Sequence, residues 1–170
     1  MQAGSIIMSF FATIWWIVGV LNSGWSPIVS FGIPIAIFVF LFANRKKENI
    51  TPTELSEQEG RRIGRIVGIA SGAEGIIIFV AVNILANIGK SDLLSPIIAI
   101  IVGLHFIPLA QWIPARLYYY TALVLVVVGT FGLFISDSIL RFKIVCVGSA
   151  LTLWITSYFV LRMPLRVQNK

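Results

Sequence analysis

This 170-residue chain is poor in charged residues and has a single cysteine. Only 12% of its residues are charged, whereas 58% are hydrophobic; soluble domains carry about 25% charged residues. A chain of this composition cannot hide its apolar surface in a core of its own, so the solvent that suits it is lipid. Cys146 is the only cysteine, which excludes an intrachain disulfide and a cysteine-based metal cluster.

The chain also lacks the usual signatures of catalysis and cofactor binding. It has no nucleotide-binding loop, no zinc-protease motif and no lysine suited to a retinal Schiff base. Its one histidine and one membrane-depth glutamate provide two metal ligands, and a catalytic zinc site normally has three. We therefore predict no metal and no cofactor. The net charge of +6 does not indicate nucleic-acid binding, because the basic residues lie between apolar runs.

Long apolar runs are what the chain has in abundance. A transmembrane helix needs about 20 mostly apolar residues, and six such runs fill the chain and leave no room for a soluble domain. The runs are residues 5–21, 26–43, 64–88, 94–112, 117–136 and 142–162. We predict a single integral membrane domain over residues 1–170, an all-α polytopic bundle of six transmembrane helices arranged as three hairpins.

The basic residues are distributed unequally between the two sides of this predicted bundle. One side collects Arg45, Lys46, Lys47, Arg61, Arg62, Arg65, Arg116, Arg162, Arg166 and Lys170, and the other collects Lys90, Arg141 and Lys143. Ten basic residues against three predict that the first side is cytoplasmic. Both termini and the loop 44–63 would then face the cytoplasm of a multi-pass protein, with the bacterial inner membrane as the expected location.

Prolines and a capping motif mark local features of this pattern. Thr51, Pro52 and Glu54 form a capping box that predicts a short surface helix in the cytoplasmic loop, with an elbow near Gly60. Deeper in the spans, Pro34 and Pro108 each remove a backbone hydrogen bond, so the freed carbonyl needs another partner.

The third span carries a stripe of glycines at helical spacing. Gly64, Gly68 and Gly72 are four residues apart, and Gly75 lies near the same side. Small residues at this spacing let another backbone approach closely. At about 100° per residue the stripe lies roughly 115° around the helix from Glu74. The stripe predicts helix packing, either within the bundle, which we favour slightly, or between copies in a homo-oligomer.

Glu74 and His105 are the two titratable residues placed well inside predicted spans. Helical rise puts Glu74 about 10–16 Å deep in the third span and His105 about 10 Å deep in the fourth. The two spans are joined by a short turn, so we expect antiparallel neighbours that bring the two side chains together. Two interpretations stay open: a polar clasp that sets helix register, or a proton-sensitive or ligand-binding site.

Three tryptophans lie near the middle of their spans and not at the ends. They are Trp15, Trp16 and Trp154. A buried indole N–H needs an acceptor, and Glu74 is one candidate. The tryptophans either pack in the core or wall a pocket beside Glu74 and His105 that suits a small apolar or amphipathic ligand.

These observations favour a small integral membrane protein whose partners are the bilayer and a ligand, without nucleic acid. The leading interpretation is proton-linked transport or sensing of a small or lipid-like ligand at Glu74 and His105. The alternative is a structural or regulatory membrane subunit with no catalytic or transport site. An intramembrane enzyme comes third, because no spacing ties Ser71, Thr130 or Cys146 to His105.

Overall fold

The computed structural model describes residues 2–21, 28–43, 54–112 and 116–162, and within them the chain is helical with no strands. The α-helices are α1 (Gln2–Leu21), α2 (Ile33–Ala43), α3 (Glu54–Asn87), α4 (Leu94–Trp112), α5 (Leu117–Leu133) and α6 (Ser138–Arg162). A π-helical turn, Ile28–Gly32, precedes α2, and a 3₁₀ turn, Ser91–Leu93, precedes α4. The all-α class predicted from the sequence is confirmed for this part of the chain.

Four helices of the described chain are long and apolar enough to cross a membrane. Their apolar stretches are Gly4–Leu21, Gly60–Asn87, Ser91–Gln111 and Ser138–Arg162. Two further apolar helices, Val29–Ala43 and Leu117–Leu133, are shorter. The predicted fifth span, 117–136, ends earlier than expected, because α5 stops at Leu133 and residues 134–137 form the turn into α6.

The most extensive helix contacts do not lie within the three predicted hairpins. They join α1 to α6 and α4 to α5, and α6 also packs on α5 and α4. These four helices form the centre of the bundle, α2 lies at one edge against α1 and α6, and α3 lies at the other edge against α4. The two ends of the described chain therefore meet in the core, which hydropathy alone does not indicate.

Glycines explain why these particular pairs approach so closely. A Cβ built on Gly19 of α1 would lie 2.5 Å from the Cβ of Cys146 in α6. A Cβ on Gly129 of α5 would lie 2.7 Å from the carbonyl oxygen of Pro96, and one on Gly103 of α4 would lie 3.0 Å from that of Ala122. Any side chain at these positions would push the backbones apart.

The long helix α3 ends where the sequence predicts, but its first part differs from the prediction. The elbow expected near Gly60 is absent, because α3 runs unbroken from Glu54 to Asn87. An exposed glycine costs a helix only about 1 kcal/mol, which the continuing backbone hydrogen bonds offset. Thr51 and Pro52 of the predicted capping box lie outside the described residues.

A glycine ends α3 through its backbone conformation. Gly89 has a φ of 70°, in the left-handed region that residues with a Cβ avoid. The N–H of Lys90 donates to the carbonyl of Leu85 at 2.8 Å, and the N–H of Gly89 donates to that of Ala86 at 3.2 Å. These two bonds form a Schellman motif. It turns the chain directly into the 3₁₀ turn and α4, which makes α3 and α4 antiparallel neighbours.

Candidate functional site

Glu74 and His105 meet across the seam between α3 and α4. The imidazole Nδ1 lies 3.6 Å from the carboxyl Oε2. The side chain of Glu74 is 18% exposed and that of His105 is 9% exposed, so protein covers most of both groups. The structure therefore brings together the two residues that the sequence placed at similar depth on consecutive helices.

The residues of α3 that face α4 follow one stripe of the helix. Val67, Ala70, Ile78 and Ala81 are half-buried, as is Glu74, while most of the surrounding positions are exposed. Val67 and Ala70 pack against the hydrophobic core. Since this spacing of three and four residues repeats along one helix face, Glu74 lies in the middle of an otherwise apolar contact surface.

His105 also interacts with Ala70 and Phe106. The imidazole interacts with the backbone of Ala70, one helical turn before Glu74, and its ring meets Phe106 edge-on with centroids 5.9 Å apart. Among the described residues no hydroxyl or thiol is hydrogen-bonded to it, and no group of three or more His, Cys, Asp or Glu side chains is arranged for a metal ion. The chemistry that this arrangement offers is proton exchange within an acid–imidazole pair.

The tryptophans lie elsewhere in the bundle. The rings of Trp16 in α1 and Trp154 in α6 pack against each other with centroids 5.5 Å apart, and both are buried. Trp15 is half-buried and packs on the edge of the same core. Because α3 packs on α4 and its adjoining 3₁₀ turn, the structure does not join these rings to the Glu74–His105 pair in one pocket. It places them in the core between α1 and α6.

The acceptor for Trp16 is a carbonyl and not Glu74, which corrects the expectation from sequence. The indole Nε1–H of Trp16 donates to the carbonyl oxygen of Val29 at 3.3 Å. Val29 lies in the π-helical turn, where carbonyl i pairs with the N–H of residue i+5. That residue is Pro34, which has no N–H. Trp16 thus satisfies the carbonyl that the proline leaves free.

The two tryptophans, whose rings pack at an interplanar angle of 42°, offer a matched test of this bond. The indole N–H of Trp154 is buried and has no hydrogen-bond partner among the described residues. Replacing either indole with phenylalanine removes similar apolar area, but only Trp16→Phe leaves a carbonyl unsatisfied. We expect Trp16→Phe to be less stable than Trp154→Phe by about 1–2 kcal/mol. Reversible SDS unfolding of the two variants in mixed micelles checks this, and equal stabilities would contradict it.

The glycine stripe of α3 faces open space in the described part of the chain. A Cβ built at Gly64, Gly68, Gly72 or Gly75 has no described atom within 4 Å, and all four positions are exposed. No described helix packs against this face, so the packing within the bundle that we expected from the sequence is not found. Packing between copies stays a prediction.

A buried arginine, which the sequence did not reveal, lies at the end of the bundle where α3 turns into α4. The charge pattern counts Arg141 as a loop residue, but it lies in the first turn of α6 and its side chain is 7% exposed. It donates to the carbonyl of Ile135 from Nε at 2.9 Å and from Nη2 at 2.6 Å. It also contacts the carbonyl and the carboxylate of Asp92. The only sequence signal for this contact is that Asp92 and Arg141, which carry opposite charges, belong to connections on the same predicted side of the bundle.

A second feature that the sequence did not reveal is a cluster of buried hydroxyls between α1 and α6. The Ser157 hydroxyl lies 2.6 Å from that of Ser5 and 2.7 Å from that of Ser9, and it also reaches the Ser5 carbonyl. The neighbouring residue of α6, Thr156, joins α6 to α5 through a hydroxyl 2.8 Å from that of Thr121. In the sequence, the four-residue spacing of Ser5 and Ser9 puts two hydroxyls on one face of α1, but it does not indicate that they meet Ser157.

The chain matches no family model, and no curated protein or solved structure is significantly similar to it.

Proposed function

We propose that the protein is a multi-pass membrane protein, located in the bacterial inner membrane, whose six apolar helices span the bilayer with both termini in the cytoplasm. The excess of basic residues in alternate connections supports this orientation. The contacts of Arg141 with Asp92 and Ile135 support the alternation of the connections between two sides, because they hold two turns of the same predicted side at one end of the bundle.

Within this framework, we propose that Glu74 and His105 form a proton-linked site for transport or sensing of a small or lipid-like ligand. The single observation that carries the proposal is the 3.6 Å contact between the two titratable groups. Ionisable groups at membrane depth are costly, at about 3 kcal/mol on insertion scales, and they commonly mark proton or ligand pathways.

The position of the pair distinguishes it from a group buried in the centre of the core. The two residues meet at the seam between α3 and α4, and α3 is an edge helix with no fully buried residue among those described. A change in protonation or ligand binding at this seam alters the contact between α3 and α4 without unpacking the four central helices. Because the two groups interact directly, protons bind to the pair as a unit and not to each residue alone.

The proposal predicts a titratable imidazole that responds to Glu74. His105 is the only histidine, so isotope-labelled histidine reports its protonation as a single NMR signal in detergent. Followed between about pH 5 and pH 8, the range in which an unperturbed imidazole changes charge, the signal should move as protons bind to the pair. We expect Glu74→Gln to shift the midpoint of this change, because a carboxylate within about 4–6 Å alters the proton affinity of an imidazole. The variant should keep the wild-type helical content.

The matched control is Asp137→Asn. Asp137 caps α6 by accepting hydrogen bonds from the N–H groups of Ile139 and Leu140 at 2.8 and 2.9 Å. Asparagine also caps helices, so this variant removes an acid elsewhere and should leave the His105 titration unchanged. A flat His105 signal over this pH range would contradict the proposal, as would strong loss of stability in both Glu74→Gln and His105→Gln with coupling in a double-mutant cycle.

The second candidate is a structural or regulatory membrane subunit in which the Glu74–His105 pair is a clasp. The open glycine face of α3 favours it, since Gly64, Gly68 and Gly72 leave room for the backbone of a second copy or another membrane helix. In that case the clasp positions α3 and the bundle has no site of its own. An intramembrane enzyme stays third, because the described contacts of His105 include no nucleophile.

A further inference from the structure

A cavity lined by arginines lies near the start of α3. Its described lining residues are Gln58, Arg61, Arg62, Arg65 and Ile66, and its volume is about 630 Å³. Sites for small molecules usually have volumes of about 300–1,000 Å³. All three arginines are exposed, so the cavity is open and a ligand reaches it without unpacking the bundle.

The helix brings the three guanidinium groups onto one side of α3. Arg61 and Arg65 are four residues apart, and Arg62 and Arg65 are three apart, so they are neighbours on the helix surface. Arg65 precedes Glu74 by nine residues, which at about 100° per residue puts it on the opposite side of α3 and about 14 Å away along the axis. Because Glu74 meets His105 across the α4 seam, the cavity is separate from that pair.

The charge of the cavity selects an anion. Arginine side chains stay charged in proteins, so the cavity keeps three positive charges. Gln58 and Ile66 add none, and Arg65 forms no ion pair within the described part of the chain. A guanidinium group donates two parallel hydrogen bonds to a phosphate or a carboxylate. The cavity is therefore suited to an oxyanion.

The position of the cavity along α3 favours a phosphate that belongs to a lipid. The apolar stretch of α3, Gly60–Asn87, begins beside the arginines, which is where a membrane-spanning helix meets the headgroup layer. Farther along the same side of α3, Ile69 and Ile76 are 68% and 67% exposed. Acyl chains of a lipid bound at the arginines would lie along these residues, whereas a free phosphate would leave them uncovered.

We propose that Arg61, Arg62 and Arg65 bind the headgroup phosphate of an anionic phospholipid, in the leaflet where α3 enters the membrane. A zwitterionic headgroup brings its own cation to the three guanidinium groups and is disfavoured. The bound lipid gives α3, an edge helix, a partner on the side away from α4. This inference goes beyond the proposed proton-linked site, since it rests on the membrane location of α3 and not on the Glu74–His105 pair.

Phosphatidylglycerol and phosphatidylcholine share a phosphate and two acyl chains but differ in headgroup charge, and they test the proposal on the purified full-length protein in detergent. Native mass spectrometry counts the lipids that stay bound. We expect one phosphatidylglycerol molecule per protein, bound about tenfold or more tightly than phosphatidylcholine. Inorganic phosphate should not displace it, because it has no acyl chains to contact the apolar side of α3.

Variants of the arginines separate this site from the general attraction of a basic protein for anionic lipid. Arg65→Gln should weaken binding of phosphatidylglycerol about fivefold, and the double variant with Arg61→Gln about twentyfold. Arg65→Lys keeps the charge but not the two parallel hydrogen bonds, so its affinity should lie between those of wild type and Arg65→Gln. Arg116→Gln is the matched control, since Arg116 is exposed on the same predicted side but does not line the cavity, and it should leave binding unchanged.

Equal binding of the two lipids, unchanged binding in Arg65→Gln, equal weakening in Arg65→Gln and Arg116→Gln, or displacement by inorganic phosphate would overturn this proposal. Tighter binding of poly-glutamate than of phosphatidylglycerol would assign the arginines to an acidic protein segment and overturn it as well. Circular dichroism checks that the variants, all at exposed positions, keep the wild-type helical content. Each of these failures leaves the Glu74–His105 site standing, because no variant alters the seam between α3 and α4.

Discussion

Replacing Arg141 with leucine should lower the free energy of unfolding by about 2–4 kcal/mol. Its guanidinium is nearly fully covered and bonds the carbonyl of Ile135 from two nitrogens and the carbonyl and carboxylate of Asp92 from a third. These bonds join the start of α6 to the segment after α5 and to the turn before α4. The carboxylate of Asp92 is 45% exposed and recovers some hydration when its partner is lost, which keeps the cost below that of a fully buried pair.

Two further variants divide this effect into charge and geometry. Arg141→Lys keeps the positive charge but cannot reproduce the planar fork that reaches both turns, so we expect it to lose about half as much stability as leucine. Asp92→Asn keeps the arginine and its carbonyl contacts and should cost about 1–2 kcal/mol. Lys90→Gln, at an exposed basic residue of the same turn, is the control. An Arg141→Leu variant within about 0.5 kcal/mol of wild type in SDS unfolding would contradict a stabilising role.

Adding one methyl group should have opposite effects at two classes of glycine. Gly129→Ala and Gly19→Ala place a Cβ against Pro96 and Cys146, at 2.7 and 2.5 Å. The obstructing atoms are a backbone carbonyl and a Cβ, which cannot rotate away as the end of a flexible side chain can. The helices must separate, and overpacking of this kind costs about 1–3 kcal/mol. Gly72→Ala meets no described atom and gains helix propensity, so it should be as stable as wild type or up to about 1 kcal/mol more stable.

A compensating substitution makes this prediction specific to the contact. Cys146→Gly removes the Cβ that the methyl group of Gly19→Ala would meet, so the double variant should recover part of the lost stability. SDS unfolding monitored by circular dichroism measures each of these variants against wild type. If Gly129→Ala and Gly72→Ala were equally stable, the close approach of α4 and α5 would be wrong.

Periodicity and helical rise are sufficient to locate the candidate pair. The matching positions of Glu74 and His105 along α3 and α4 follow from counting residues along two runs joined by a short turn, and 3.6-residue periodicity places Val67, Ala70 and Ile78 on the same face as Glu74. These inferences succeed because they depend on one helix, or on two helices whose connection is too short to allow another arrangement. The acceptor of Trp16 cannot be found in this way, because Val29 belongs to another element and its carbonyl is free only through Pro34.

Composition and hydropathy by themselves indicated that the chain is all-α and apolar, where most of its helices end, and that Glu74 and His105 lie within apolar runs. These properties are local, since each depends on residues within a few turns of one another. The tertiary structure alone decided that α1 packs on α6, that Gly19, Gly103 and Gly129 make the close contacts in place of the α3 stripe, and that Arg141 is buried between two turns. A glycine or an arginine has the same local pattern whether it faces a neighbour or open space, so only the positions of the other helices distinguish the two.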